Sequence, residues 1–139
     1  GRIVFIEVGP RLSGGNTHLL VRDLRNDGKS QVELALDSYL ALDPPEPALT
    51  IRHGVRVYVI CHAHGVLKEY RHIEKIEGLP SFRRTSFKYL PGDRIAPTKD
   101  LATDVGWIDL ANEDHQALCR DEAELSMYIT AGVIHVAVD

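Results

Sequence analysis

Ile3-Val4-Phe5-Ile6-Glu7-Val8-Gly9-Pro10-Arg11-Leu12-Ser13-Gly14-Gly15 is the stretch on which the reading of this chain turns. Residues 3–8 are apolar except for Glu7, and Gly9-Pro10 closes the run, which predicts a buried strand ending in a turn. A carboxylate in such a strand is costly unless it is paired or bound to a cation. Arg11 follows four residues later. Gly14-Gly15 comes next, and its backbone N–H groups can approach a ligand closely. An anionic metal ligand, a fixed cation and an amide-lined loop therefore fall within thirteen residues. Such a set suits a polyphosphate with Mg²⁺ beside a carboxylate. The plain structural alternative is a Glu7–Arg11 ion pair closing the strand end. A buried strand also needs partners on both sides, so one this near residue 1 leads us to expect upstream partners outside the 139 residues.

Working outward, the chain carries 16 Lys+Arg, 20 Asp+Glu and 7 His, a formal net charge of -4. Hydrophobic residues make up 44% and charged residues 26%, which excludes a disordered or low-complexity chain. No apolar run approaches the ~20 residues of a membrane-spanning helix, so no membrane partner is expected. Cys61 and Cys119 are too few for a disulfide scaffold and fit a reducing, cytoplasmic setting. Charge is uneven along the chain. Residues 51–95 carry 9 basic and 4 acidic groups, and residues 96–139 carry 2 and 9. With the whole chain acidic, the expectation is that these blocks pack beside each other in one fold, rather than forming a nucleic-acid surface.

The periodicity predicts helices from Thr17 to about Arg25 and from about Ser30, where Glu33 completes a capping box. Val32, Ala35, Leu36, Tyr39 and Leu40 give the second helix an apolar face. Pro44, Pro45 and Pro47 mark a boundary, dividing the chain into 1–43 and 51–139. Beyond it the period becomes two. Strands are expected over 55–62, 66–71, 82–90, 105–111 and 133–138, the first two as a hairpin about Gly65. A short helical turn falls at 73–78 and a longer helix at 114–130. The fold class is α+β, a mostly antiparallel sheet with flanking helices.

The segment Glu7-Val8-Gly9-Pro10-Arg11-Leu12-Ser13-Gly14-Gly15 resembles the last catalytic strand of the ATP-grasp superfamily. It is similar to the Glu-Val-x-x-Arg-x-x-Gly-Gly form in its carboxylate–amine ligases of the amino-acid ligase type. Pro91-Gly92-Asp93-Arg94-Ile95 and Thr98-Lys99-Asp100-Leu101 resemble the family's small C-terminal β subdomain. The resemblance implies the C-terminal portion of an ATP-grasp fold, about the last third of such a ligase, with 1–43 ending the catalytic domain and 51–139 forming the subdomain. It implies ATP and Mg²⁺ as cofactors of the complete enzyme, with Glu7 as a metal ligand. Arg11 would steady an acyl-phosphate intermediate, and Ser13, Gly14 and Gly15 would receive the substrate. The partners implied are a small-molecule carboxylate, an amine, and an upstream ATP-grasp domain without which this chain would be inactive. Gly9 stands where many members have Asn as a second metal ligand. The alternative from another class is a non-catalytic binding or oligomerisation module that keeps the fold. In either case a first strand lacking partners would favour a homodimer.

Other constellations are weaker. His62 and His64 would share one face of a strand and could bind one Zn²⁺, but no Asp or Glu lies between residues 54 and 68 to join them. Ser13, His18 and Asp23 contain the residue types of a hydrolase triad without a nucleophile elbow. Residues 82–89 mix bases with aromatics, and alternation would place Phe82, Arg84, Ser86 and Lys88 on one face. Trp107 reads as core packing, and Asp121, Glu122 and Glu124 as a solvated helix face.

Overall fold

A computed structural model describes residues 12, 14–40 and 49–137. The strand expected over 3–8 lies outside the described residues, and Glu7, Arg11 and Ser13 with it. So do the three prolines of the expected boundary.

Two helices come first, α1 (Thr17–Leu24) and α2 (Gln31–Tyr39). The capping box forms as expected: Ser30 N donates to Glu33 Oε2 at 2.7 Å, and Glu33 N donates to Ser30 Oγ at 3.3 Å. The Ser30 amide and hydroxyl hold the Glu33 carboxyl below its usual range. The apolar face of α2 is not part of the core, since Val32, Leu36, Tyr39 and Leu40 are all exposed.

The remaining strands are β1 (His53–Val59), β2 (Gly65–Tyr70), β3 (Phe82–Phe87), β4 (Arg94–Ile95), β5 (Gly106–Asn112) and β6 (Ile134–Ala137). They form two antiparallel sheets, ordered β1-β5-β3 and β4-β2-β6. Short α3 (Ile73–Glu77) precedes β3, and α4 (His115–Thr130) packs on β5 and β1. Asp114 caps α4 by accepting from Gln116 N at 2.8 Å. The α+β class and the antiparallel pairing agree with the sequence reading.

The expected hairpin between the first two strands does not form. Chain order had paired them, but β1 pairs with β5 and β2 pairs with β6 and β4. The register explains the choice: Val57 meets Ile108 and Arg56 meets Asp109, so β5 matches both faces of β1 at once. Val59, Ile108 and Leu110 lie in one buried cluster with Leu67, Ile76, Leu125 and Val133. At the end of β5, the missing side chain of Gly106 is required by packing, because a Cβ there would stand 2.2 Å from the Ser86 carbonyl oxygen.

Strand β3 also departs from strict alternation. A register shift between Phe82 and Arg84 lets Phe82 face Leu110 while Arg84 faces Asp109. The extra residue reverses the face of everything before it. Phe82, Phe87 and Tyr89 therefore pack on the core, and Arg84 lies on the opposite face with Asp109.

The uneven charge is resolved inside the fold, as expected. Acidic β5 lies between basic β1 and β3, and pairs cross from one block to the other: Arg56–Asp109, Arg84–Asp109, Lys88–Asp104 and Arg52–Glu113.

Candidate functional site

One face of the β1-β5-β3 sheet is apolar and faces the core; the other is polar and faces α1 and the turn before it. Tyr58, Trp107 and Ser86 form one cross-strand row of that polar face, and Arg56, Asp109 and Arg84 form the next. The turn at Gly14–Thr17 lies over them. Gly15 and Asn16 are both left-handed, with φ of 66° and 59°, a conformation that favours Gly at the first position. Thr17 Oγ1 donates to the Gly14 carbonyl oxygen at 2.9 Å, closing the turn. Asn16 occupies the N-cap position of α1 but makes no side-chain cap.

Arg56 ties the turn to the sheet. Its Nε donates to Asp109 Oδ1 at 2.6 Å and its Nη2 to Asp109 Oδ2 at 2.8 Å, a bidentate pair. The same guanidinium donates to the carbonyl oxygens of Gly15 and Asn16. Its Cζ also lies 3.7 Å from the centre of the Trp107 ring. Both partners are sealed, with side-chain exposure of 5% for Arg56 and 0% for Asp109. The hydrogen bonds to Asp109 raise the pKa of Arg56, so the cation persists despite burial. Arg84 extends the network: it binds Asp23 of α1, and its Nη1 lies 3.8 Å from Asp109 Oδ2. One buried carboxylate thus organises two arginines, one reaching the turn and the other reaching α1.

Beside the network, the turn and the sheet enclose a groove of about 770 Å³. Gly14, Gly15 and Thr17 form one wall; Tyr58, Trp107, Ser86, Lys88 and Asp104 are on the sheet side. Two of the expected substrate-loop residues, Gly14 and Gly15, therefore border a concave polar site. The third, Ser13, and the expected metal ligand and cation, Glu7 and Arg11, lie outside the described residues.

Two sequence expectations are corrected here, the solvated face at Asp121 and the extent of the first strand through His62. Trp107 is buried at 7% exposure but belongs to the groove side under Arg56, not to the apolar cluster. Asp121 is buried rather than solvated, because Oδ2 accepts from the Ser81 amide at 2.7 Å. Strand β1 stops at Val59, so His62 and His64 share no strand face, and both are exposed. Among the described residues no three His, Cys, Asp or Glu side chains converge as a metal site. The Asp23 carboxylate is engaged by Arg84 and Arg22, not by a triad histidine.

The sequence reading missed Arg56, Asp109, Asp104 and Lys88. The signal for Asp109 was present, and it was the signal that singled out Glu7: a carboxylate inside an apolar strand, here Trp107-Ile108-Asp109-Leu110-Ala111. Asp104 and Lys88 carry no such mark, since only the folded β3–β5 junction brings them together.

No protein-family model and no curated protein matches the sequence. A solved structure does. The L-amino acid ligase from Bacillus licheniformis superposes on 90% of this chain with a TM-score of 0.60, at 16% identity. This chain has the fold of part of that ligase. It spans 30% of that ligase's length. A phosphoribosylglycinamide synthetase from Anaerococcus prevotii is similar over 62% of this chain and 20% of its own, at 17% identity and a TM-score of 0.44, too loose to weigh further. No helix among the described residues is long and apolar enough to cross a membrane.

Proposed function

We propose that this chain is the C-terminal part of an ATP-dependent ligase that joins a carboxylate to an amine through an acyl phosphate. The observation that carries the reading is the superposition of 90% of the chain on an L-amino acid ligase, with the Gly14-Gly15 turn bordering a polar groove. The fold shared with that ligase supports the motif reading of residues 7–15, and the substrates are proposed to be amino-acid-like.

In this reading residues 1–43 complete the catalytic domain and residues 51–139 form the small subdomain that backs it. Arg11 would offset the negative charge that builds as phosphate moves to the carboxylate. Ser13, Gly14 and Gly15 would receive the substrate, with Arg56 holding the turn in place from beneath through Gly15 and Asn16. Glu7 would be a Mg²⁺ ligand. The described residues alone do not form a cation site. Bound Mg²⁺ and ATP would supply the phosphoryl group and its charge neutralisation.

The test is Glu7→Gln in the full-length protein, assayed for ADP release that depends on a pool of the L-amino acids. Loss of turnover with an unchanged far-UV spectrum is the expected result. Wild-type turnover in the variant would remove Glu7 from the site. No amino-acid-dependent ADP release from the unaltered protein would overturn the ligase reading.

A further inference from the structure

The groove contains one group that the ligase reading does not use. Asp104 borders it and is 3% exposed, and its Oδ1 is buried without a hydrogen-bond partner. Its other oxygen, Oδ2, accepts from Lys88 Nζ at 2.9 Å. Lys88 cannot also serve Oδ1. An ammonium has three protons, and the Lys88 Nζ has two further acceptors, the carbonyl oxygens of Leu101 and Ala102 at 3.2 and 3.3 Å. A buried acceptor left unserved is a cost that native proteins avoid unless something completes it.

We propose that this groove binds the ammonium end of an alkylammonium ligand, with Asp104 Oδ1 as its acceptor. The proposal rests on the reading of this groove as the substrate site, and it adds the chemistry of one substrate group. Three features select that class. The vacant partner is an anionic acceptor, so the ligand must donate. The walls beside it include the Trp107 and Tyr58 rings and the side chains of Leu12 and Leu101, which suit a short apolar stem. An anionic end would find Lys88 already engaged on all three protons. Because a carboxylate holds an ammonium protonated, the group at Asp104 is a recognition handle rather than the attacking amine.

Trp107 is the chain's single tryptophan and borders the groove, so its emission reports binding directly. The 139-residue chain is titrated with n-pentylamine and, as a length-matched neutral probe, with pentan-1-ol. We expect a saturable change with the amine, and about tenfold or more weaker binding of the alcohol, whose hydroxyl can donate to Oδ1 but lacks the ammonium charge. Asp104→Asn should weaken the amine by about the same factor and the alcohol by less. Should that variant fail to fold, the amine–alcohol comparison in the unaltered chain decides alone. No saturable amine response, equal affinity for the two probes, or unchanged amine affinity in Asp104→Asn would overturn the proposal and leave Oδ1 to a bound water. Amine binding without amino-acid-dependent ADP release would fault the ligase reading and not this one. Ligation without amine binding would do the reverse.

Discussion

Replacing Asp109 by Asn keeps the shape of the side chain and removes the charge on which two arginines converge. In the native structure the Asp109 carboxylate has no exposure, and Arg56 meets it through two bonds of 2.6 and 2.8 Å. The variant leaves a nearly buried guanidinium facing a neutral amide, one of whose hydrogen-bonding positions is now a donor pointing at a donor. Breaking one side of a buried ion pair costs about 3–5 kcal/mol. With an unfolding entropy of roughly 2.1 cal/mol/K per residue, the 139 residues convert that loss into a fall in Tm of roughly 10–17 °C. The decisive comparison is a double-mutant cycle by urea denaturation with Arg56→Met and Asp109→Leu. Each single change strands a buried partner, whereas together they replace the pair by apolar groups, so the double variant should cost far less than the two singles added. Because Arg56 lies over Trp107, each single variant should also shift the tryptophan emission, an effect independent of stability. Additive costs in the cycle, or a loss under about 1 kcal/mol for Asp109→Asn, would refute the view that this pair is the organising contact of the polar face.

Two further outcomes follow from other parts of the structure. Gly54→Ala should destabilise by about 1 kcal/mol, because the new Cβ would stand 2.7 Å from Leu24 Cδ2, the end of a side chain that must turn aside, and 3.3 Å from the Leu110 carbonyl oxygen. Adding Leu24→Ala should recover part of that loss in thermal melts, and a cost unaffected by the second change would point away from α1. The Arg25 guanidinium holds the Asp27 carboxyl at about 2 against an ordinary 3.8. A depressed folded-state value means that the stabilisation is present above pH 3.8 and is lost as pH falls through about 2. A carboxyl NMR titration of Asp27 checks this directly, and a midpoint near 3.8 would show that the pair does not persist in solution.

The Ser30–Glu33 capping box and the alternation of Val55, Val57 and Val59 were legible because each is a local rule: a side chain reaching its own helix end, or a period of two along one strand. The turn at Gly14-Gly15 was legible for the same reason, since a glycine pair favours a turn from its own backbone freedom. Strand partners were not. The sequence neighbour of β1 is β2, yet β1 chose β5, about fifty residues away, because only that strand offers Ile108 to Val57 and Asp109 to Arg56 in one register. The bulge after Phe82 was hidden too, since a single unpaired residue leaves composition unchanged and still turns Arg84 from the face of Phe82 to the face of Asp109. Local propensity, capping and charge content are properties of residues and their immediate neighbours, and the sequence by itself determined them. Which charges meet is a property of pairing across the sheet, and so only the tertiary structure decided that Arg56 holds the Gly15 turn, that Asp121 is buried, and that Asp104 borders the groove with one oxygen unserved.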